Sequence, residues 1–169
     1  LRAGVGRREP AVDLRIGAFY LDAVDWLVGE KLTTGITPTQ FGPERTLVTL
    51  SATDLTYWGI SAADQAVLAN ATDIASVAYT RVELPLTANN VVTTYGTNLG
   101  YKGSYVNYYV ANTAVLVPIY NDPNDEPAKA IIRTLYPNRT VVGIDCRNLY
   151  AQGGMVHCVT QQQPETYTS

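Results

Sequence analysis

Tyr105-Val106-Asn107-Tyr108-Tyr109-Val110, then Asn112-Thr113, then Ala114-Val115-Leu116-Val117-Pro118-Ile119: this run of Val and Tyr decides the fold. β-Branched and aromatic residues fit a pleated surface, and the polar pair suits a tight turn. The pattern predicts strands over Tyr105–Val110 and Ala114–Ile119. Asn121 to Asp125 then reads as a loop and cap. Beyond it, Ala128, Ile131, Ile132 and Leu135 fall at i, i+3, i+4 and i+7, the apolar stripe of a helix that must stop before Pro137. Val141–Ile144 reads as a third strand, and the Gly153-Gly154 turn leads into a fourth over Met155–Thr160. Two strands, a helix and further strands make an α/β arrangement with mixed pairing.

Upstream, Thr46–Leu50 is a strand by composition, and Ser61 with Asp64 three positions on opens a helix running to Asn70. Ala78–Leu86 alternates polar and apolar residues and ends at Pro85 as a short strand does. This repeats the order of the later segment more faintly. Residues 46–169 are therefore expected to hold two copies of one module, the second at about 100–165. Residues 1–45 are expected to be irregular, with a Thr-, Gly- and Pro-rich loop over Thr33–Pro43.

A chain of 169 residues that is 46% hydrophobic and 16% charged can bury a core. So low a charged fraction suggests that some surface is covered by another chain or domain, although 12 tyrosines also cover surface with half-polar rings. The net charge is −3, and no basic cluster exceeds Arg7-Arg8, so nucleic acid is not expected as a partner. No apolar run approaches the roughly 20 residues of a membrane span, and the first residues lack a signal peptide's apolar core. The sequence starts at Leu1 without Met, as a processed or incomplete chain does. Two cysteines and one histidine cannot surround a zinc ion, so no metal or other cofactor is expected. The triplets Asn70-Ala71-Thr72 and Asn138-Arg139-Thr140 fit the N-glycosylation pattern, but such triplets arise about this often by chance and assign no compartment.

Three ordered blocks carry a resemblance. They are Ser104–Asn112 with Ala114–Pro118; Asp122-Pro123-Asn124-Asp125-Glu126 through Leu135–Arg139 to Val141–Asp145; and Gly153-Gly154-Met155-Val156-His157-Cys158-Val159-Thr160-Gln161-Gln162-Gln163-Pro164. Together they resemble the closing stretch of the agmatine deiminases and bacterial peptidylarginine deiminases. The match runs over about residues 100–165, with a looser echo from about 41 to 99. The resemblance implies a pentein fold, in which ββαβ modules stand as blades around a pseudo-fivefold axis, here a partial α/β propeller. It implies a small guanidino compound or peptidyl-arginine as substrate.

Deiminases of this kind attack the guanidinium carbon with a cysteine thiolate, expel ammonia, and hydrolyse the thiouronium intermediate to a ureido product. A planar, permanently cationic guanidinium must be gripped by carboxylates, met by a thiolate, and served by a proton donor. On composition alone Cys158 reads as a buried structural cysteine; the resemblance makes it the nucleophile. It sets Asn107 beside that cysteine, and Gly153 and Gly154 at the family's glycine run, with Gln152 and Met155 departing from it. Cys146 matches nothing catalytic and reads as a small core residue. His157 is adjacent to Cys158 on an expected strand, so its ring is expected to face away, in a structural or pocket-wall role.

The family's catalytic histidine lies upstream beside an aspartate, and no second histidine is present. Asp22-Ala23-Val24-Asp25 is a faint counterpart, with Asp25 as a candidate guanidinium-gripping carboxylate. Loss of a proton-shuttling group costs a factor of roughly 10²–10⁴. The leading expectation is thus the C-terminal part of a guanidino deiminase, incomplete or inactive as this chain alone. The alternative is a non-catalytic module that self-associates or binds a companion chain, since strand edges left by absent blades need covering. A third reading is a secreted, tyrosine-rich glycoprotein using the two triplets.

Overall fold

A computed structural model describes residues 39–73 and 75–162. Strand β1 (Thr39–Phe41) pairs antiparallel with β2 (Thr46–Leu50). Every residue of β2 is buried, as befits a central strand covered on both faces. Helices α1 (Ala52–Tyr57) and α2 (Ala62–Ala69) follow, and β3 (Thr80–Leu84) returns parallel to β2, with Thr46 opposite Thr80 and Leu50 opposite Leu84. A hairpin of β4 (Leu86–Val92) and β5 (Asn98–Ser104) stands next. Then β6 (Tyr109–Val110) pairs antiparallel with β7 (Ala114–Ile119), helix α3 (Asp125–Leu135) crosses over, and β8 (Thr140–Asp145) returns parallel to β7. A one-turn helix α4 (Arg147–Tyr150) and a 3₁₀ turn (His157–Val159) close the described chain. The two three-stranded sheets thus have the same order, antiparallel then parallel, with the helical crossover before the third strand.

Local chemistry explains the helices. Ser51 and Ser61 each accept the backbone N–H three residues on, from Asp54 and Asp64, satisfying a donor that the first turn leaves orphaned. Gly59 ends α1 at φ +76°, with its N–H on the Thr56 carbonyl and that of Ile60 on the Leu55 carbonyl, the Schellman pattern that favours glycine. In α3, Ala128 and Ile132 are fully buried and Ile131 and Leu135 half-buried, the stripe the spacing predicts.

An aromatic chain ties the first sheet to the second. Tyr57 packs edge-on to Trp58 (ring centroids 5.2 Å apart), Trp58 to Tyr101 (6.1 Å), Tyr101 to Tyr150 (5.4 Å), Tyr150 to Tyr120 (5.4 Å) and Tyr120 to Tyr105 (5.6 Å). Such tilted contacts match the positive edge of one ring to the negative face of the next. Burial raises the hydroxyl pKa of Tyr105, Tyr108, Tyr120 and Tyr150, so these are neutral, space-filling groups.

Four expectations are corrected. Thr39–Phe41 lies in a strand, since its backbone pairs with β2, not in the expected loop. Past Pro85, which cannot donate to a ladder, a separate strand runs on to Val92. The strand expected over Tyr105–Val110 survives only at Tyr109–Val110. Residues 105–108 are all buried, which a strand with alternate faces cannot achieve beside water, and the chain turns to bury each one. Met155–Thr160 is likewise no strand: Val156 is αR, and the N–H groups of Val159 and Thr160 bond back three residues to Val156 and His157. Asp25, with its neighbours Asp22 and Ala23, lies outside the described residues.

Candidate active site

The irregular segment 105–108 carries the site's foundation. The Tyr105 hydroxyl donates to Asp125 Oδ1 (2.8 Å), and the Tyr108 and Tyr136 hydroxyls share a hydrogen bond (3.2 Å). Asp125 also accepts the N–H groups of Tyr120 and Asp122, so it fixes the start of α3 and the turn before it. Between the two anchored tyrosines, Asn107 is only 3% exposed. Its Oδ1 accepts the backbone N–H of His157 at 2.9 Å, and its carbonyl faces the same N–H at 3.3 Å. With Oδ1 engaged there, Nδ2 points at Cys158 Sγ, 3.4 Å away; as a thiol, Cys158 faces Oδ1 at 3.6 Å. Asn107 and Cys158 are therefore brought together, and the thiol is exposed, not sealed in the core.

The glycine pair shapes the approach to Cys158. Gly153 sits at φ +86°, its N–H on the Tyr150 carbonyl, with that of Gly154 on the Leu149 carbonyl. That is a second Schellman ending, here of α4, and it turns the chain back toward Asn107. A Cβ at Gly154 would lie 3.7 Å from Cys158 Cβ, so the turn and the cysteine are neighbours. Met155, fully buried, anchors the return: the Tyr120 hydroxyl faces its sulfur at 2.9 Å and the Ser104 carbonyl at 2.8 Å. Gly103 makes room for that ring, since a Cβ there would stand 2.8–2.9 Å from Tyr120 ring carbons.

His157 keeps no hydrogen bond from its ring to Cys158 among the described residues; its ring packs edge-on to Tyr109 at 6.1 Å. Strand alternation is not the reason, because the segment is a 3₁₀ turn. Cys146 is 1% exposed, as a core residue should be. Burial, then the nearby Asp145 carboxylate, pushes its thiol up to about 11. A cleft of about 210 Å³ lies elsewhere, lined by Asn89, Asn90, Tyr120, Asp122 and Arg147 among others, and neither Cys158 nor Asn107 lines it. Among the described residues no group of three or more His, Cys, Asp or Glu side chains could hold a metal ion, and no helix is long and apolar enough to cross a membrane. Sequence reasoning missed Tyr120, Met155 and Gly103. Gly103 stands in β5, a strand that the sequence reading did not expect, so no strand pattern marked it.

The described chain is mixed α/β and sets an exposed cysteine beside a buried asparagine. The family model of the Porphyromonas-type peptidyl-arginine deiminases matches residues 37–164. This chain belongs to that family. A Streptomyces coelicolor protein provisionally named an agmatine deiminase is 52% identical over 63 residues, covering 37% of this chain and 19% of that protein. A crystal structure from Porphyromonas gingivalis, provisionally named an arginine deiminase, superposes with a TM-score of 0.63 at 32% identity, over 76% of this chain and 38% of that one. The agmatine deiminase of Enterococcus faecalis superposes with a TM-score of 0.55 at 26% identity, over 71% of this chain and 37% of its own. The chain thus spans less than half the length of the relatives it matches.

Proposed function

We propose that this chain is the cysteine-bearing, C-terminal part of a guanidino deiminase acting on agmatine or peptidyl-arginine. Cys158 is the nucleophile and Asn107 its polar neighbour. The observation that carries the reading is the pairing of an exposed Sγ with a buried, oriented amide. The thiolate is the form that attacks a guanidinium carbon, and the Asn107 amide is the polar group beside the sulfur. The C–S bond forms, ammonia leaves with a proton from an acid, and water cleaves the thiouronium to a ureido product, releasing the thiolate. Gly153 and Gly154 shape the floor beside the sulfur, and Asp25 is a candidate carboxylate for the cation.

The two ββαβ-like sheets are read as two pentein-type modules, the first beginning at β1 (Thr39–Phe41), ahead of the expected residue 46, and the second at about 100–165 and carrying Cys158. The repeated antiparallel-then-parallel order supports this reading. The sequence holds no second histidine to move protons, and the chain alone is a poor catalyst or none. The full-length protein should form ureido product from agmatine or a peptidyl-arginine, and Cys158→Ala should abolish it. Product formation that persists in Cys158→Ala refutes the assignment.

A second reading, a non-catalytic module that associates with itself or a companion chain, is favoured by one feature. Strand β8 is a sheet edge, with Val142 and Ile144 each 38% exposed. Light scattering separates the two: a concentration-dependent oligomer with no ureido product supports the second.

A further inference from the structure

We infer that Leu149 is the apolar wall on which the methylene arm of the guanidino substrate lies while Cys158 attacks. Leu149 thereby selects for substrates that carry such an arm. Gly154 is the reference point. A carbon at its Cβ position would stand 3.7 Å from Cys158 Cβ, 3.8 Å from Leu149 Cδ1 and 4.0 Å from Leu149 Cγ, all ordinary contact distances. Glycine leaves that position empty, so the Leu149 side chain and the nucleophile's own Cβ border the same bare patch of backbone.

The wall is fixed by its neighbours. Asn148, the residue before, accepts the Thr94 N–H through Oδ1 at 2.9 Å and donates to Thr94 Oγ1 at 2.6 Å, which ties α4 to the tip of the β4–β5 hairpin. Tyr150, the residue after, donates its hydroxyl to the Lys102 carbonyl at 2.9 Å. The Leu149 carbonyl accepts the N–H groups of Gln152 and Gly154. Backbone and neighbours are thus held, while the Leu149 side chain is only half-buried. Val159, directly after the nucleophile, is 64% exposed. Open apolar surface with one orienting polar group, here the Asn107 amide, is the composition of a small-molecule site.

The substrate supplies the complement. Agmatine and an arginine side chain both carry a run of methylenes next to the guanidinium, and they differ at the far end. Laying that run on Leu149 removes apolar surface from water, a gain that guanidine itself cannot make. The wall bears no charge, so it holds the arm and leaves the cation to other groups.

The inference rests on Cys158 being the deiminase nucleophile, as proposed above, but is tested without deimination. Alkylation of Cys158 in the full-length protein by N-methylmaleimide, N-hexylmaleimide and iodoacetamide is timed by peptide mass spectrometry. Relative to free cysteine, the unaltered protein should favour the hexyl over the methyl reagent. That preference should fall at least about threefold in Leu149→Ala, and equally in Leu149→Asn, which keeps the bulk but not the apolar surface. Leu149→Met should keep the preference, and the iodoacetamide rate should stay within about twofold throughout, because the thiolate itself is untouched. No hexyl preference in the unaltered protein, or an undiminished one in either Leu149→Ala or Leu149→Asn, overturns the inference. So does an equal slowing with all three reagents, which would mean that Leu149 only supports the turn. With agmatine as substrate, Leu149→Asn should raise KM and leave kcat nearly unchanged. Absence of ureido product from the unaltered protein would sink the deiminase reading, while the maleimide preference would still decide whether Leu149 walls the thiol.

Discussion

The side-chain amide of Asn107 lies 3.4 Å from Cys158 Sγ, fifty-one positions further along, and its oxygen is held by the N–H of His157, the residue before that cysteine. One buried side chain thereby orients both the sulfur and the turn that presents it. Asn107→Asp keeps the acceptor for His157 but replaces the donor at sulfur with negative charge. Alkylation of Cys158 by iodoacetamide at neutral pH should slow by roughly tenfold, because the sulfur then faces a carboxylate in place of an N–H donor. Asn107→Ala should slow it too and also loosen the turn. An unchanged rate in Asn107→Asp would remove the amide from the account.

Gly153 and Gly154 should respond differently to alanine. At Gly153 the backbone is left-handed, φ +86°, so a Cβ costs about 1–2 kcal/mol wherever it points. At Gly154 an added Cβ meets its nearest neighbours at 3.7–4.0 Å, which is ordinary contact. Urea unfolding should therefore show a clear loss for Gly153→Ala and a change within about 0.5 kcal/mol for Gly154→Ala. Equal losses would contradict the Schellman assignment.

Asp122 gives the fold an acid-sensitive joint. Burial opposes its ionisation, but the N–H groups of Asn124, Ala88 and Asn89, and the Asn89 side-chain amide, together hold its carboxyl below the usual range. A folded-state value below the unfolded one adds stability that is complete above the unfolded value of about 4 and is lost as pH falls through the folded value. Thermal unfolding from pH 5 down to 2 should show a steep loss in the unaltered chain. In Asp122→Asn the slope should be shallower, because no charge remains to be neutralised, and stability at pH 7 should be lower.

Much of this architecture is written in local patterns, and the site less so. The Ala128, Ile131, Ile132 and Leu135 stripe states the helix that is found, and Ala114–Ile119 states a strand found to the residue. Each rests on side chains a few positions apart. Residues 105–108 defeated the same reasoning because their conformation is set by distant partners: Asp125 for Tyr105, Tyr136 for Tyr108, and His157 with Cys158 for Asn107. Local pattern alone could not tell this buried run from a buried strand such as Thr46–Leu50. Met155–Thr160 failed for a related reason, since Val156 and Val159 look like strand residues until Asn107 claims the N–H between them. The proximity of Asn107 to Cys158 came from the resemblance; their spacing alone gave no hint of it.

The fit of Tyr120 against Gly103 provides the sharpest packing test. The ring leaves no room for a side chain at 103, with ring carbons 2.8–2.9 Å from where Cβ would stand. Both groups lie in rigid surroundings, because the Tyr120 hydroxyl is fixed on the Ser104 carbonyl and beside the Met155 sulfur. Gly103→Ala alone should thus cost about 1–3 kcal/mol by overpacking. Tyr120→Leu alone should cost about 3 kcal/mol or more, through lost ring contacts and an unpaired carbonyl at Ser104. Leucine, lacking the ring that collides, gives the added methyl somewhere to go. The double variant should be more stable than the sum of the two losses by at least about 1 kcal/mol. Because Tyr120 also anchors Met155, Tyr120→Leu should alter the alkylation rate of Cys158, whereas adding Gly103→Ala to that variant should not change it further. Additive losses would mean that position 103 is open in solution and that the ring does not brace the turn bearing Cys158.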